Sequence, residues 1–200
     1  MIKHILSIAL CCAFSLISFA QTAVLAGTIN TSNGDPVGQV TVRLEDQSGA
    51  LLSVTTTNIS GTYSFPGLNT GNIYRVVPQK DLNPLNGVST FDIVLVAKHI
   101  LGLDPITDPY NIIAADVNGS NTVTTFDIVT SRRLILGMDP AYIIPSWRFW
   151  PATTTFSNPM DPFSGISGNN AEILLTQDET NFDFIGVKTG DVNHTNTPNN

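Results

Sequence analysis

Two stretches of this chain, 35 positions apart, are close copies of each other. Asp81–Pro105 reads DLNPLNGVSTFDIVLVAKHILGLDP and Asp116–Pro140 reads DVNGSNTVTTFDIVTSRRLILGMDP, with 14 of 25 aligned positions identical. The identities include the first, third and twelfth positions of each copy (Asp81, Asn83, Asp92; Asp116, Asn118, Asp127), an apolar segment, and the closing Gly-x-Asp-Pro. A duplicated segment that opens on oxygen donors and runs into an apolar stretch predicts a repeated loop–helix unit.

The spacing of the oxygen donors points to a hard cation. Calcium takes six to eight oxygens at about 2.3–2.6 Å, and a twelve-residue loop supplies them from positions 1, 3, 5, 7, 9 and 12. In the second copy these are Asp116, Asn118, Ser120, the Thr122 carbonyl, Thr124 and Asp127. Position 6, where such loops turn sharply, is Asn121, a residue that tolerates positive φ. Two formal charges on the ion predict weak affinity of the extracellular kind. In the first copy Asp81, Asn83, the Gly87 carbonyl, Ser89 and Asp92 fit, but position 5 is Leu85 and position 4 is Pro84. That loop is one oxygen short unless Asn86 or water replaces it.

Each loop should give way to a helix, over Thr90–Leu101 and Thr125–Leu136. Phe91, Val94, Leu95, Lys98 and Leu101 lie three or four apart, as do Phe126, Val129, Arg133 and Leu136,. Gly102 and Gly137 stand where a left-handed cap ends a helix, and Pro105 and Pro140 forbid continuation. Tyr110–Ala115 is a short apolar lead into the second loop.

Ahead of the repeat, Thr22–Pro78 alternates apolar and polar residues in Val40–Leu44, Leu52–Val54, Tyr63–Phe65 and Ile73–Val77, separated by Gly-, Asn- and Pro-containing turns. Five or six short strands at this spacing predict a small antiparallel sandwich. Met1–Ala20 carries Lys3 and His4, an apolar run from Ile5 to Ile17, and small residues before Gln21, the features of a cleaved export signal,. The run is too short to span a membrane. Both cysteines, Cys11 and Cys12, lie in it, so the mature chain of about 180 residues has no disulfide, and core burial or metal must stabilise it,. The net charge of −7 disfavours nucleic acid and anionic membranes and attracts cations,.

After the repeat, Ala141–Asn200 returns to a β or irregular pattern. Trp147-Arg148-Phe149-Trp150 concentrates large side chains, read first as core and alternatively as a sugar-stacking patch. Phe182–Val187 alternates as a strand, and the last ten residues should fray,. Asp191-Val192-Asn193-His194-Thr195-Asn196-Thr197 repeats the first seven positions of the second loop. It reads first as a turn, with a truncated site or a ligand donor to a complete loop as the alternatives.

Two resemblances follow from these residues. Gly27-Thr-Ile29, Gly34-Asp-Pro36-Val37, Gly61-Thr-Tyr63-Ser-Phe65 and Gly71-Asn-Ile-Tyr74 resemble the carboxypeptidase-regulatory-like and Cna-B-like sandwiches, which implies a spacer or stalk, with sugar binding in some relatives,. The Asp-Val-Asn-Gly loop with Asp at position 12, its helix and its second copy resemble a type I dockerin. The longer succession from NPLNGVSTFDIVLVAKHILG through IIAADVN and SWRF to GVKTGDVN is similar to a dockerin-like module of large secreted bacterial surface proteins. The dockerin resemblance implies calcium and a cohesin partner held at loop positions 10 and 11 and along the helix. Here those positions are Thr90-Phe91 and Thr125-Phe126, with Arg132-Arg133 further on. By the pattern alone the two phenylalanines read as core between the helices, with docking as the alternative, and the arginines equally as a solvated face or a contact.

Other chemistry finds little footing. His99 and His194 are isolated, a zinc cluster is improbable without cysteine, and neither histidine sits in a nucleophile motif. A small glycoside hydrolase, using paired carboxylates, is a weak rival. The sequence therefore predicts an exported, non-enzymatic α+β chain, mainly β. A sandwich over 21–79 leads into a calcium loop–helix duplication over 80–140, and 141–200 packs on that unit. The chain should be secreted or at the cell surface, as an assembly or attachment module, with a polysaccharide-degrading system as one setting. The alternative is a carbohydrate-binding accessory protein using the sandwich or Trp147 and Trp150.

Overall fold

The computed structural model describes residues 21–167 and 171–199; the export signal expected over Met1–Ala20 lies outside them. Five strands come first: β1 (Thr22–Asn30), β2 (Thr41–Asp46), β3 (Leu51–Thr56), β4 (Thr62–Asn69) and β5 (Asn72–Gln79). Their period-two pattern sends Leu25, Ile29, Val42, Leu44 and Val76 into a shared core with none of their surface exposed,. The turn from β2 to β3 follows from its residues. Asp46 Oδ1 accepts the Ser48 and Ala50 amide hydrogens at 2.8 and 2.9 Å, and Gly49 takes the φ of +85° the reversal needs,.

Three helices follow: α1 (Thr90–Ile100), α2 (Pro109–Ala115) and α3 (Thr125–Ile135). Ser89 caps α1 and Thr124 caps α3, each in a capping box closed by the Asp three residues on (Asp92, Asp127),. Both long helices end in the same six-to-one closure. Leu103 N–H donates to Lys98 O and Met138 N–H donates to Arg133 O, each at 2.9 Å, across Gly102 (φ +65°) and Gly137 (φ +67°),. The apolar lead Tyr110–Ala115 is a helix. Pro109 opens it, and Asp108 Oδ1 accepts the Tyr110 and Asn111 N–H groups.

The last part of the chain supplies β6 (Trp147–Pro151), β7 (Thr155–Phe156), β8 (Ile166–Ser167), β9 (Glu172–Leu175) and β10 (Phe184–Lys188). Two four-stranded sheets result, ordered β4-β1-β10-β6 and β3-β2-β5-β9, with β7 and β8 as a separate pair. The fold is mainly β within an α+β class. Strand β10 runs parallel to β1, with Ile29 opposite Phe184, and β9 runs antiparallel to β5. A sandwich confined to residues 21–79 would leave the β1 and β5 edges open. The C-terminal strands cover both edges, and Trp147, Leu175 and Phe184 complete the core,. Residues of the C-terminal part also pack on the helical unit, with Val187 and Val192 joining Val96, Ile113 and Ala114 in a second apolar cluster.

Candidate metal centre and docking face

The second loop folds around its own acids. Asp116 is fully buried and Asp127 is 1% exposed. Asp116 Oδ1 accepts Ser120 N–H at 3.0 Å and its Oδ2 accepts Asn121 N–H at 3.1 Å. Asp127 Oδ1 accepts Val117 N–H at 3.1 Å, and its Oδ2 accepts Thr124 N–H at 2.8 Å. Ser120 Oγ lies 3.1 Å from the Thr122 carbonyl oxygen, and Asn118 Oδ1 accepts Ser120 N–H at 2.9 Å. The six oxygen-bearing residues named from the sequence thus form two hydrogen-bonded groups, Asp116 with Asn118, Ser120 and Thr122, and Asp127 with Thr124, the second reaching back to Val117 beside Asp116; Asn121 makes the turn at φ +61°. Burial is the main cause that pushes the Asp127 carboxyl above the usual carboxylate range, with Asp116 adding repulsion. Neutral oxygens plus two buried carboxylates fit a hard cation. Among the described residues no group of three or more His, Cys, Asp or Glu could hold a metal, so softer zinc-type ligation has no set of its own,.

Arg148, which the sequence did not single out, fastens this loop to the sandwich. From β6 its Nη2 donates to the carbonyls of Ile113 and Asp116, the latter at 3.1 Å, and its Nη1 lies 4.0 Å from Asp116 Oδ2. Burial lowers its pKa to about 10 against the pull of Asp116. On the paired strand, Lys188 of β10 does the same for the first loop. Its Nζ donates to Pro84 O at 2.8 Å, and burial lowers its pKa to about 8. Antiparallel pairing of β6 with β10 sets Arg148 opposite Val187 and Trp147 opposite Lys188, so the two anchors are neighbours in space but 40 positions apart in sequence.

The first loop separates into halves. Gly87, Ser89 and Asp92 hold the expected geometry around the α1 cap, with Asp92 Oδ2 accepting Ser89 N–H at 2.8 Å. Asp81 and Asn83 are exposed, and among the described residues neither hydrogen-bonds to Gly87, Ser89 or Asp92. Asp81 Oδ1 instead accepts Ser146 N–H at 2.9 Å. The assignment of Asp81 and Asn83 as partners of Asp92 does not match this arrangement. With Leu85 at position 5 this stretch lacks the hydroxyl that Ser120 supplies, and Pro84 at position 4 cannot take the left-handed conformation of Gly119 (φ +72°) in the second loop,. The C-terminal residues up to Asn199 are held by hydrogen bonds and do not fray. Asn86 Oδ1 accepts Thr197 N–H at 3.1 Å, and Asn199 Oδ1 accepts Gly38 N–H at 2.7 Å.

The partner positions are all on the outside. Thr90, Thr125, Arg132 and Arg133 are exposed, and so are Phe91 at 57% and Phe126 at 66%. The core reading of the two rings is thereby corrected. Helices α1 and α3 face inward along Asp92–Val96 and Asp127–Ser131–Leu134, the faces set by the buried cap carboxylates, which turns the Phe91–Val94–Leu101 and Phe126–Val129–Leu136 lines outward. Arg133 pairs with Asp139 at 2.7 Å along this face, and Lys98 with Asp104 at 3.4 Å at the corresponding place on α1.

The aromatic run is divided. Trp147 is 2% exposed, stacked on Phe149 at 6.5 Å between centroids and covered by the Lys80 ammonium 5.3 Å above its ring. Phe149 and the half-buried Trp150 line a groove of about 800 Å³ with Gln39, Gln79 and Pro145. Among the described residues no helix is long and apolar enough to cross a membrane.

No curated protein matches the chain. A family model does match at residues 26–90, from within β1 to the first residue of α1, and the N-terminal part of this β-sandwich is accordingly similar to the SdrD B-like domain.

Proposed function

We propose that this chain is a non-enzymatic, calcium-stabilised module of an exported protein, whose helix pair docks a partner in assembly or cell-surface attachment. The observation that carries the reading is the doubled exposed stripe, Phe91–Val94–Leu101 on α1 and Phe126–Val129–Leu136 on α3. Each stripe begins one position before a buried loop carboxylate. Single exposed apolar residues are ordinary, but a patch repeated on two packed helices is of the kind that marks an interaction site. Calcium at the second loop would neutralise Asp116 and Asp127 and fix the start of α3, coupling ion binding to the order of the docking face. The surface setting is supported by the SdrD B-like part, a domain type of surface proteins. A cohesin-type domain is the partner class to which the dockerin resemblance leads, and a polysaccharide-degrading assembly is the setting it suggests.

The test is titration calorimetry of the intact chain against a panel of purified cohesin domains, with millimolar calcium and with EDTA. Calcium-dependent binding that disappears in Phe91→Ser/Phe126→Ser supports the reading. Binding that is indifferent to both EDTA and the double substitution overturns it.

A second reading, carbohydrate binding, draws on the groove beside Trp150 and Phe149. Retention on insoluble glucan that is lost in Trp150→Ala would favour it.

A further inference from the structure

We propose that the chain holds a second divalent-cation site whose loop is split. The C-terminal segment supplies its first half (Asp191, Asn193, Thr195), and the first repeat supplies its second half (the Gly87 carbonyl, Ser89, Asp92). The inference rests on the calcium reading of the second loop.

The contiguous loop provides the template, and the split one repeats the bonds made by its carboxylates at positions 1 and 12 and by its position-5 hydroxyl. In the contiguous loop, Asp127 at position 12 accepts Val117 N–H on Oδ1 at 3.1 Å; in the split loop, Asp92 accepts Val192 N–H on Oδ1 at 3.0 Å. Asp116 accepts the N–H groups of positions 5 and 6 (Ser120, Asn121) at 3.0 and 3.1 Å. Asp191 accepts those of Thr195 and Asn196 at 3.1 and 2.9 Å. The position-5 hydroxyl of Ser120 donates to the position-7 carbonyl of Thr122 at 3.1 Å, and Thr195 donates to Gly87 O at 3.0 Å. Even the left-handed residue at position 4 recurs, Gly119 at φ +72° and His194 at φ +57°. The chain crosses from one half to the other where Asn196 meets Gly87. A Cβ on Gly87 would lie 2.6 Å from both Asn196 N and Asp191 Oδ2.

Exposure separates the two claimants for position 1. Asp116 is fully buried and Asp191 is 2% exposed, whereas Asp81 is exposed and serves the Ser146 amide. Independently of loop shape, the carboxylates of Asp92 and Asp191 lie in electrostatic reach of the Lys188 ammonium without forming an ion pair with it. Asp92 and Asp191 are both 2% exposed, and among the described residues no side-chain cation pairs with either. Lys188, the nearest anchor, directs its ammonium at the Pro84 and Thr189 carbonyls. Buried carboxylates are otherwise paired or bound to metal. Beside them Asn196, whose Nδ2 donates to Asp191 Oδ2 at 2.6 Å, keeps its own buried Oδ1 without a hydrogen-bond partner. An oxygen-only donor set with two carboxylates fits calcium in preference to a transition metal.

The experiment is calcium stoichiometry of the intact chain by titration calorimetry, for the native chain and for Asp191→Asn, Asp81→Asn and Asp116→Asn, with near-ultraviolet circular dichroism confirming the fold of each. Asn keeps one acceptor oxygen for the loop amides and turns the other into a donor, which is why the dichroism of each variant is read beside its stoichiometry. The split site requires two ions in the native chain, one in Asp191→Asn, two in Asp81→Asn and one in Asp116→Asn. Two ions in Asp191→Asn with one in Asp81→Asn overturns it in favour of a contiguous first loop. A single ion in the native chain, lost in Asp116→Asn, overturns the split site and leaves the calcium reading of the second loop standing. No calcium at all overturns both.

Discussion

The carboxylate of Asp92 accepts the backbone N–H of Val192 at 3.0 Å, joining the helical repeat to a segment 100 positions later in the chain. Around that bond the C-terminal segment stops being an appendage. It lies against Gly87 and Asn86, and β10 just before it is the strand that pairs with β1 in the sandwich. Sandwich, helices and C-terminal segment are therefore expected to unfold together.

The bond leans on one small residue. Gly87 has φ +80°, and any side chain there meets the backbone of Asn196. Gly87→Ala should cost about 1–2 kcal/mol for the left-handed conformation alone, and more through the clash. It should also release the segment, read as a lower urea midpoint and as new proteolytic cleavage after residue 190. An unchanged midpoint would mean the segment is not held here.

Phe184 sits 2% exposed in the sandwich core, although it lies more than a hundred residues after the core strands of residues 21–79. Phe184→Ala should destabilise the whole chain by about 3–5 kcal/mol in one cooperative urea transition. If the sandwich strands of residues 21–79 formed their own domain, two transitions would appear, with only the second displaced.

Calcium should raise the melting temperature. A ligand at 100 times its dissociation constant stabilises by about 2.7 kcal/mol, which for a chain of this size corresponds to several degrees. In Asp116→Asn/Asp127→Asn the part of that rise owed to the second loop should vanish. Scanning calorimetry in EDTA and in millimolar calcium reads both.

His99 predicts a dependence on pH away from the metal loops. Its Nδ1 accepts Ile106 N–H at 3.0 Å, a bond that only the neutral ring can accept, and burial holds its pKa below the usual 6.5. With the folded-state value depressed, the unfolded chain binds the proton more readily. Stability from this group is complete above pH 6.5 and is lost as the pH falls through the folded value. His99→Gln, with no proton to gain, should flatten the decline in melting temperature between pH 7.5 and 5.5.

Much of this was legible in the residues. Alternation in Val40–Leu44 and Ile73–Val77 gave strands, and the SxxD and TxxD caps with Gly102 and Gly137 bounded the helices. These are local rules, since a capping box or a left-handed glycine is decided within a few positions. The second loop gathered its named oxygen donors for the same reason: all of them lie within twelve consecutive residues. Phe91 and Phe126 were less legible, because an apolar stripe at helical spacing predicts burial and does not say which side the neighbouring helix takes. The capping carboxylates chose the inward face.

What the sequence determined by itself was the strands of the N-terminal sandwich, the two long helices and the oxygen-donor pattern of the repeat. What the tertiary structure decided was which halves meet. Asp81 and Asp191 both begin an Asp-x-Asn motif, and nothing within either motif says which will face Asp92. The choice was made by β10. Pairing with β1 and β6 places Lys188 against Pro84 and brings Asp191 to the cap of α1, while Pro84 denies the first repeat the left-handed turn at position 4 and Leu85 the hydroxyl at position 5,. A contact between segments 100 positions apart is set by sheet pairing and core burial, which no local spacing rule contains.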